Sequence, residues 1–314
     1  MVRPSGRVPG LAVPAPVVRG RIVVFGDVID DIVVVPNGPI RNDTDTPSSI
    51  RHRAGGSAAN VASWLGDQKA PVDFVGRVAA EDVARHTAIL ERYGVSPHLV
   101  ADPEQPTGTI IVLVDGNSRS MLTERGANAW LTADDVSDEL LDSASVVHLT
   151  GYSIYHSEDH EPLRRLFARA AARGVAVSVD PASAGSLDDF GVAAFLEAIA
   201  GASMLFPNLD EGCMLTGLTN PLEIAGALAE QFPLVALTLG EGGVVVAQSG
   251  QELRTVPAQS CTAVDPTGAG DAFTAGFLAE WIRKEDADLA ARAGVAAAAR
   301  AVTTIGGRPE RERA

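Results

Sequence analysis

The segment Asp265-Pro-Thr-Gly-Ala-Gly-Asp-Ala-Phe-Thr-Ala-Gly276 sets an aspartate directly after a Gly-Ala-Gly turn, at the head of an alanine-rich helical stretch. Free N–H groups in such a turn, with the partial positive charge of a helix start, suit an anion. Gly268, Ala269 and Gly270 therefore read as a phosphate cradle, and Asp271 beside it as a base for a hydroxyl proton. Taken alone, the four residues are read more simply as an ordinary glycine-rich turn with Asp271 as a charge partner. A second segment, Ala54-Gly-Gly-Ser-Ala-Ala-Asn-Val-Ala62, opens a helix on a double glycine. Gly55 and Gly56 let a ligand approach the backbone, and Asn60 can both donate to and accept from a hydroxyl. The plain alternative is a tight connection with Asn60 as a local cap. Neither segment is a dinucleotide fingerprint, since Phe273 stands three residues after Gly270. No Gly-Lys-Ser/Thr occurs in the chain, so a P-loop is excluded as well.

These residues need a scaffold. Apolar runs at Arg21–Phe25, Val72–Val75, Val146–Leu149, Val175–Val179, Met204–Phe206 and Val235–Leu239 read as buried strands. Helical patterns separate many of them: Asn60–Leu65, Asp82–Tyr93, Ala133–Leu141, Pro162–Arg173, Val192–Ala200 and Leu222–Gln231. Two longer helices, Ala272–Arg283 and Asp288–Ala301, close the chain. Strands alternating with helices predict an α/β domain with a mostly parallel sheet. The alternation breaks at Ile32–Val35 with Ser49–Arg53, and at Thr109–Val114 with Ser120–Glu124 around the hairpin signal Asp115-Gly-Asn-Ser118. Those strands predict a small sheet, built from segments 32–53 and 107–125, lying as a lid over the edge where open α/β sheets bind ligands. The proline-interrupted residues 1–19 read as a disordered leader, 20–309 as one domain and 310–314 as a tail.

Composition bounds the partners. The chain has 314 residues, 46% of them hydrophobic and 21% charged, enough for a substantial core. Its net charge of −15 argues against nucleic acid and anionic membrane as partners, because a polyanion needs a basic face. Only two lysines occur, Lys69 and Lys284, so phosphate must be handled largely without lysine. Cys213 and Cys261 have no paired spacing and read as free thiols of a reducing cytosol. With no apolar run long enough for a membrane span, the expected location is cytoplasmic.

Together the two glycine segments resemble the signatures of the ribokinase-like (PfkB) family of carbohydrate kinases. Gly55-Gly56…Asn60 looks like its N-terminal signature and Asp265–Gly276 its C-terminal one. Between them, Pro207-Asn-Leu-Asp-Glu211 resembles the NxxE motif and Thr238-Leu-Gly-Glu-Gly-Gly243 the TxGxxG nucleotide loop. The resemblance spans residues 21–309 and implies a three-layer α/β/α fold with a β-sheet lid. It implies that Asp271 takes the proton of an acceptor hydroxyl while the N–H groups of Gly268, Ala269 and Gly270 form an anion hole for the γ-phosphoryl group of ATP. It implies Mg²⁺ organised by Asn208 and Glu211 through water, and nucleotide contacts at Thr238, Gly240 and Gly243. Asp265 and Thr267, with the 301–307 stretch, fall where some members hold K⁺.

On the acceptor side the resemblance implies Asp31, with Asp27 and Asp30 as neighbouring competitors, over a floor of Gly55, Gly56 and Asn60. Ribokinases proper have Asn where Ile29 stands and Lys where Ser57 stands, which counts against ribose itself. A ketohexose, another pentose or a keto-deoxy sugar acid fits, with a nucleoside kinase on the same fold, or a non-catalytic sugar-binding regulator, as alternatives. Arg125 reads either as a contact to an acidic or already phosphorylated substrate or as one half of a surface ion pair. Family lids often pair across a dimer, and the apolar strand Ile32–Val35 would welcome such a cover.

Overall fold

In the computed structural model, which describes residues 20–310 apart from 116–117 and 158, the apolar run at Arg21–Phe25 becomes the central strand β1. Ile22 and Val24 face one hydrophobic cluster, Val23 and Phe25 the other. That is why the strand has no polar alternation: both faces of the sheet are covered. Each such side chain, fully buried, contributes about 1.5–3 kcal/mol. The expected leader over residues 1–19, the hairpin tip at Gly116-Asn117 and tail residues 311–314 lie outside the described residues.

After β1 the chain forms β2 (Ile29–Pro36) and β3 (Ser48–Gly55), then α1 (Ser57–Asp67), β4 (Val72–Ala79), α2 (Val83–Glu91) and β5 (Ser96–Asp102). A hairpin of β6 (Gly108–Asp115) and β7 (Ser118–Glu124) follows. The alternation then resumes with α3 (Asp138–Ser143), β8 (Ala144–Thr150), α4 (Glu161–Ala172), β9 (Ala176–Asp180), α5 (Ala184–Phe190), α6 (Val192–Ala198) and β10 (Met204–Leu205). The last third holds α7 (Leu209–Thr216), α8 (Pro221–Leu228), β11 (Leu234–Thr238), β12 (Val244–Gln248), β13 (Arg254–Val256), α9 (Ala269–Lys284) and α10 (Ala287–Ala301).

The nine-stranded sheet has the order β13-β12-β11-β10-β9-β8-β1-β4-β5 and is parallel except for β12. Helices α1, α9 and α10 cover one face and α3 to α8 the other. The expected three-layer ribokinase-like α/β/α architecture is what the structure has. The second sheet, β3-β2-β6-β7, is the lid, with β2 and β6 parallel at its centre. Its register puts Val33, Val112 and Met121 toward the cleft and the row Ile32, Ile111 and Leu122 on the opposite face.

Local signals account for the departures from the sequence reading. The single helix expected over Ala133–Leu141 is split, because Thr132 caps a short turn and Ser137 caps α3, with Val136 extended between them. Strand β5 was not foreseen: it carries Pro97 and is an edge strand, where a missing N–H costs no ladder bond. Helix α7 is the third surprise, short but closed by a capping box and ended by left-handed Gly217.

Candidate active site

Helix α9 begins at Gly268, whose φ of +75° and whose approach to Gly307 leave no room for a side chain; a Cβ there would lie 2.5 Å from the Gly307 Cα. Ala269, Gly270 and Asp271 make the first turn of the helix, so the cradle and the acid are held by one element. The Asp271 carboxylate accepts from the Ser57 hydroxyl at 2.7 Å and from Asn60 Nδ2 at 2.9 Å. Both donors sit on α1, so the two glycine segments meet in space. Burial raises the Asp271 carboxyl to about 7 even though both hydrogen bonds favour its charged form.

Two cavities join at this point. A larger one, about 1240 Å³, lies under the lid; a smaller one, about 370 Å³, lies over the sheet edge. Ser57, Tyr152, Gly268 and Asp271 line both. Thr238, Gly240, Asn208 and Glu211 line the small cavity together with Gly268, Ala269 and Gly270. Gly243 lines neither. It closes the β11–β12 turn at φ +88°, where a Cβ would strike the Val256 carbonyl.

Asn208 and Glu211 are not equivalent. Asn208 caps α7, its Oδ1 accepting the Glu211 N–H at 3.0 Å, while Glu211 Oε2 accepts the Asn208 N–H at 2.8 Å. Glu211, 1% exposed, keeps Oε1 with no hydrogen-bond partner. Asp180, at the end of β9, lines the same cavity. Burial pushes both carboxyls well up, and for Asp180 the neighbouring Glu211 adds to it. An unpartnered buried carboxylate oxygen beside a second carboxylate is a donor set that fits a hard divalent cation such as Mg²⁺.

The three acids after β1 separate by role. Asp27 caps α1 from outside, accepting the Ser57 and Ala58 N–H groups at 3.0 Å each. Asp30 turns away to Arg85, with contacts of 2.8 and 2.6 Å. Asp31 lines the large cavity, lying so close over Gly55 that a Cβ there would come within 2.2 Å of its Oδ2. Burial raises the Asp31 carboxyl to about 6 although Arg308 opposes the shift.

The side chains expected at a K⁺ site are otherwise engaged. Asp265 accepts the Thr267 N–H at 2.9 Å and the Gly306 N–H at 3.0 Å, and pairs with Arg119 of the lid at 2.9 Å. Arg119 also donates to the Thr267 hydroxyl. A guanidinium thus engages both of these side chains.

The profile of the pfkB family carbohydrate kinases matches residues 19–313. The chain belongs to the PfkB family of carbohydrate kinases. It is 29% identical over 284 residues to an ATP-dependent ribose-1-phosphate kinase of Halopiger xanaduensis, covering 86% of this chain and 88% of that one. Its fold is that of adenosine kinase from Sinorhizobium meliloti, with a TM-score of 0.82 at 24% identity over 93% and 96% of the two chains. A protein described as ribokinase II from E. coli, in complex with ATP and Mg²⁺, superposes with a TM-score of 0.80 at 22% identity over 92% and 94%.

As a PfkB phosphotransferase the chain takes an alcohol as acceptor, a sugar or a nucleoside. Two residues of its site escaped the sequence reading. Asp180 lay in an unremarkable Asp-Pro-Ala, and only the strand order brings it to Glu211. Arg308 lay near the C-terminus, yet it is 8% exposed, donating from Nε to Asn60 Oδ1 at 3.2 Å and from Nη2 to the Gly55 carbonyl at 2.7 Å. No local signal marks either one.

Proposed function

We propose that the chain transfers the γ-phosphoryl group of ATP to a hydroxyl of a sugar held under the lid. The observation that carries this reading is the position of Asp271: it stands where the two cavities join, one hydrogen-bond length from α1 and in the first turn of α9. In this reading the small cavity takes the phosphates and the large one the acceptor. Asp271 takes the acceptor's proton as its oxygen bonds to phosphorus and the bond to the leaving ADP breaks. Ser57 and Asn60 orient the carboxylate. The N–H groups of Gly268, Ala269 and Gly270 face the charge that grows on the transferred group. Glu211 and Asp180 would hold Mg²⁺, with Asn208 fixing Glu211 through the α7 cap. The cation supplies charge neutralisation to the phosphates. Asp31 would accept from the acceptor's hydroxyls.

A ketohexose, a pentose or a keto-deoxy sugar acid suits the acid and the glycine floor. Tyr93 and Tyr152 in the same cavity are the observation favouring a nucleoside as the second reading. Asp271→Asn tests the assignment. ATP binding by calorimetry should persist while turnover falls by about 10²–10⁴-fold; near wild-type turnover would overturn it.

We also propose a homodimer through the lid: Ile32, Val34, Ile50, Ile111, Leu113 and Leu122 form an apolar patch on the face away from the cleft. Sedimentation of wild type against Leu122→Glu tests it: the dimer should dissociate in the variant, and a monomeric wild type would refute it. Among the described residues no helix is long and apolar enough to cross a membrane, in keeping with a cytoplasmic location.

A further inference from the structure

The arginines of the cleft lie on one side of it. No arginine or lysine lines the small cavity, whereas Arg51, Arg53, Arg119, Arg125 and Arg308 line the large one. Two of the five are set apart by burial and by what they lack. Arg119 is paired with Asp265, and Arg53 donates to the Ile305 carbonyl at 3.0 Å. Arg51 is exposed. Arg308 is buried and spends two of its nitrogens on the neutral acceptors Asn60 and Gly55, leaving Nη1 without any partner. Arg125 gives Nη2 to the Tyr152 carbonyl at 2.9 Å and leaves a buried Nε unpartnered. Neither belongs to an ion pair among the described residues. Among the described residues, the surface ion pair that is the plain alternative for Arg125 is absent.

A guanidinium taken out of water without a carboxylate is costly, and the cost is recovered only when an anion arrives. Asp31 acts on Arg308 electrostatically, as do Asp27 and Asp30, but none of them forms an ion pair with it among the described residues. ATP does not explain the pair, because its phosphates have their own cavity on the far side of Asp271. We propose that the acceptor is a sugar that already carries a fixed negative charge, a phosphate monoester or a carboxylate, and that Arg125 and Arg308 bind that charge while Asp31 and Asp271 receive its hydroxyls. This rests on the kinase reading given above. It also assigns the reaction's place: the step upstream must deliver a sugar that bears a phosphate ester or a carboxylate, and the product leaves with two charged groups.

The test compares charged and neutral acceptors of one carbon skeleton. ADP release is measured with ribose against ribose 1-phosphate and ribose 5-phosphate, with fructose against its 1- and 6-phosphates, and with 2-dehydro-3-deoxygluconate as the carboxylate arm. Adenosine is the neutral nucleoside. In wild type kcat/KM for one charged sugar should exceed its neutral relative by about 10- to 100-fold, as expected of charge-assisted hydrogen bonds. Which arm responds tells phosphate from carboxylate. Arg125→Gln should collapse that ratio through KM, and Arg125→Lys should restore part of it. A neutral sugar or adenosine used as well as any charged acceptor overturns the proposal and leaves the kinase reading intact, as does a ratio that Arg125→Gln leaves unchanged. Should no acceptor be turned over, the same panel is read by thermal shift. Stabilisation by a charged sugar in wild type and not in Arg125→Gln then upholds the charge selection while the kinase reading fails. No shift with any charged sugar overturns the charge selection too.

Discussion

The two cavities that meet at Asp271 handle negative charge by opposite means. Among the described residues no cationic side chain lines the small one: the start of α9 borders it, and its walls carry Asp180 and Glu211. The large one carries guanidiniums, among them buried Arg308 and half-buried Arg125, each with one buried nitrogen that has no partner among the described residues. Backbone dipoles and a metal ion act at a fixed point along one helix axis, which suits a group that must pass through a defined position in transfer. Long guanidinium side chains reach a ligand from several directions and select by charge, which suits recognition. The chain's shortage of lysine fits this division, since neither side of the cleft uses one.

Removing the element that both sides share should have the largest effect. Asp271→Asn is expected to lose about 10²–10⁴-fold in kcat with ATP still bound, whereas substitutions confined to one cavity should separate the kinetic constants. On the phosphate side, Glu211→Gln should raise the Mg²⁺ concentration needed for half-maximal rate by about 10–100-fold, with the acceptor KM little changed. A variant with normal Mg²⁺ dependence would remove Glu211 from the cation. Across the cleft, Arg119→Ala should act on acceptor KM by only a few-fold, because a partly exposed ion pair is worth about 0–1 kcal/mol. A larger loss in kcat would mean that the lid latch also sets the anion hole.

The shared carboxylate gives a pH signature as well. Asp271, raised to about 7, must be ionised to act, so kcat/KM should fall as pH drops below about 7. Stability should run the other way. Asp31 and Asp271 are raised in the folded chain to about 6 and about 7. Their folded forms thus hold protons that the unfolded chain releases near pH ~4. That contribution is full below the unfolded range and is lost as pH rises through 6 and 7. The apo protein's Tm should therefore decline over that window, and Asp271→Asn should flatten the decline. A Tm that climbs from pH 5 to 7 would count against both raised values.

Much of the site was legible because its residues act through local backbone. The Gly-Ala-Gly turn and the helix behind it are contiguous, so their anion-binding geometry is written in sequence order. Gly56 before α1 is likewise a local necessity, with φ at +91°, whereas Gly55 is required by the approach of Asp31 from the neighbouring strand. Less visible was the division of labour among like residues. Three aspartates follow β1 within five positions, and only the packing of α1 and α2 turns Asp27 into a cap, Asp30 into the partner of Arg85 and Asp31 into the wall of the cleft. Glu211 is buried, with the α7 capping box holding its Oε2 on the Asn208 N–H.

By itself the sequence determined the layered fold, the cradle and the acid beside it, because period, turn chemistry and glycine requirements are properties of short stretches of chain. It also determined that neither Lys69 nor Lys284 stands in the glycine segments or the nucleotide-loop motif. Tertiary structure alone decided which charges remain unpaired. Asp180 at the end of β9 meets Glu211 of α7 because the neighbouring strand β10 sets that helix beside it, and Arg308 reaches back to Gly55 and Asn60 from the other end of the chain. Whether a charge is neutralised depends on distance and burial, and neither is encoded in a residue's own neighbourhood.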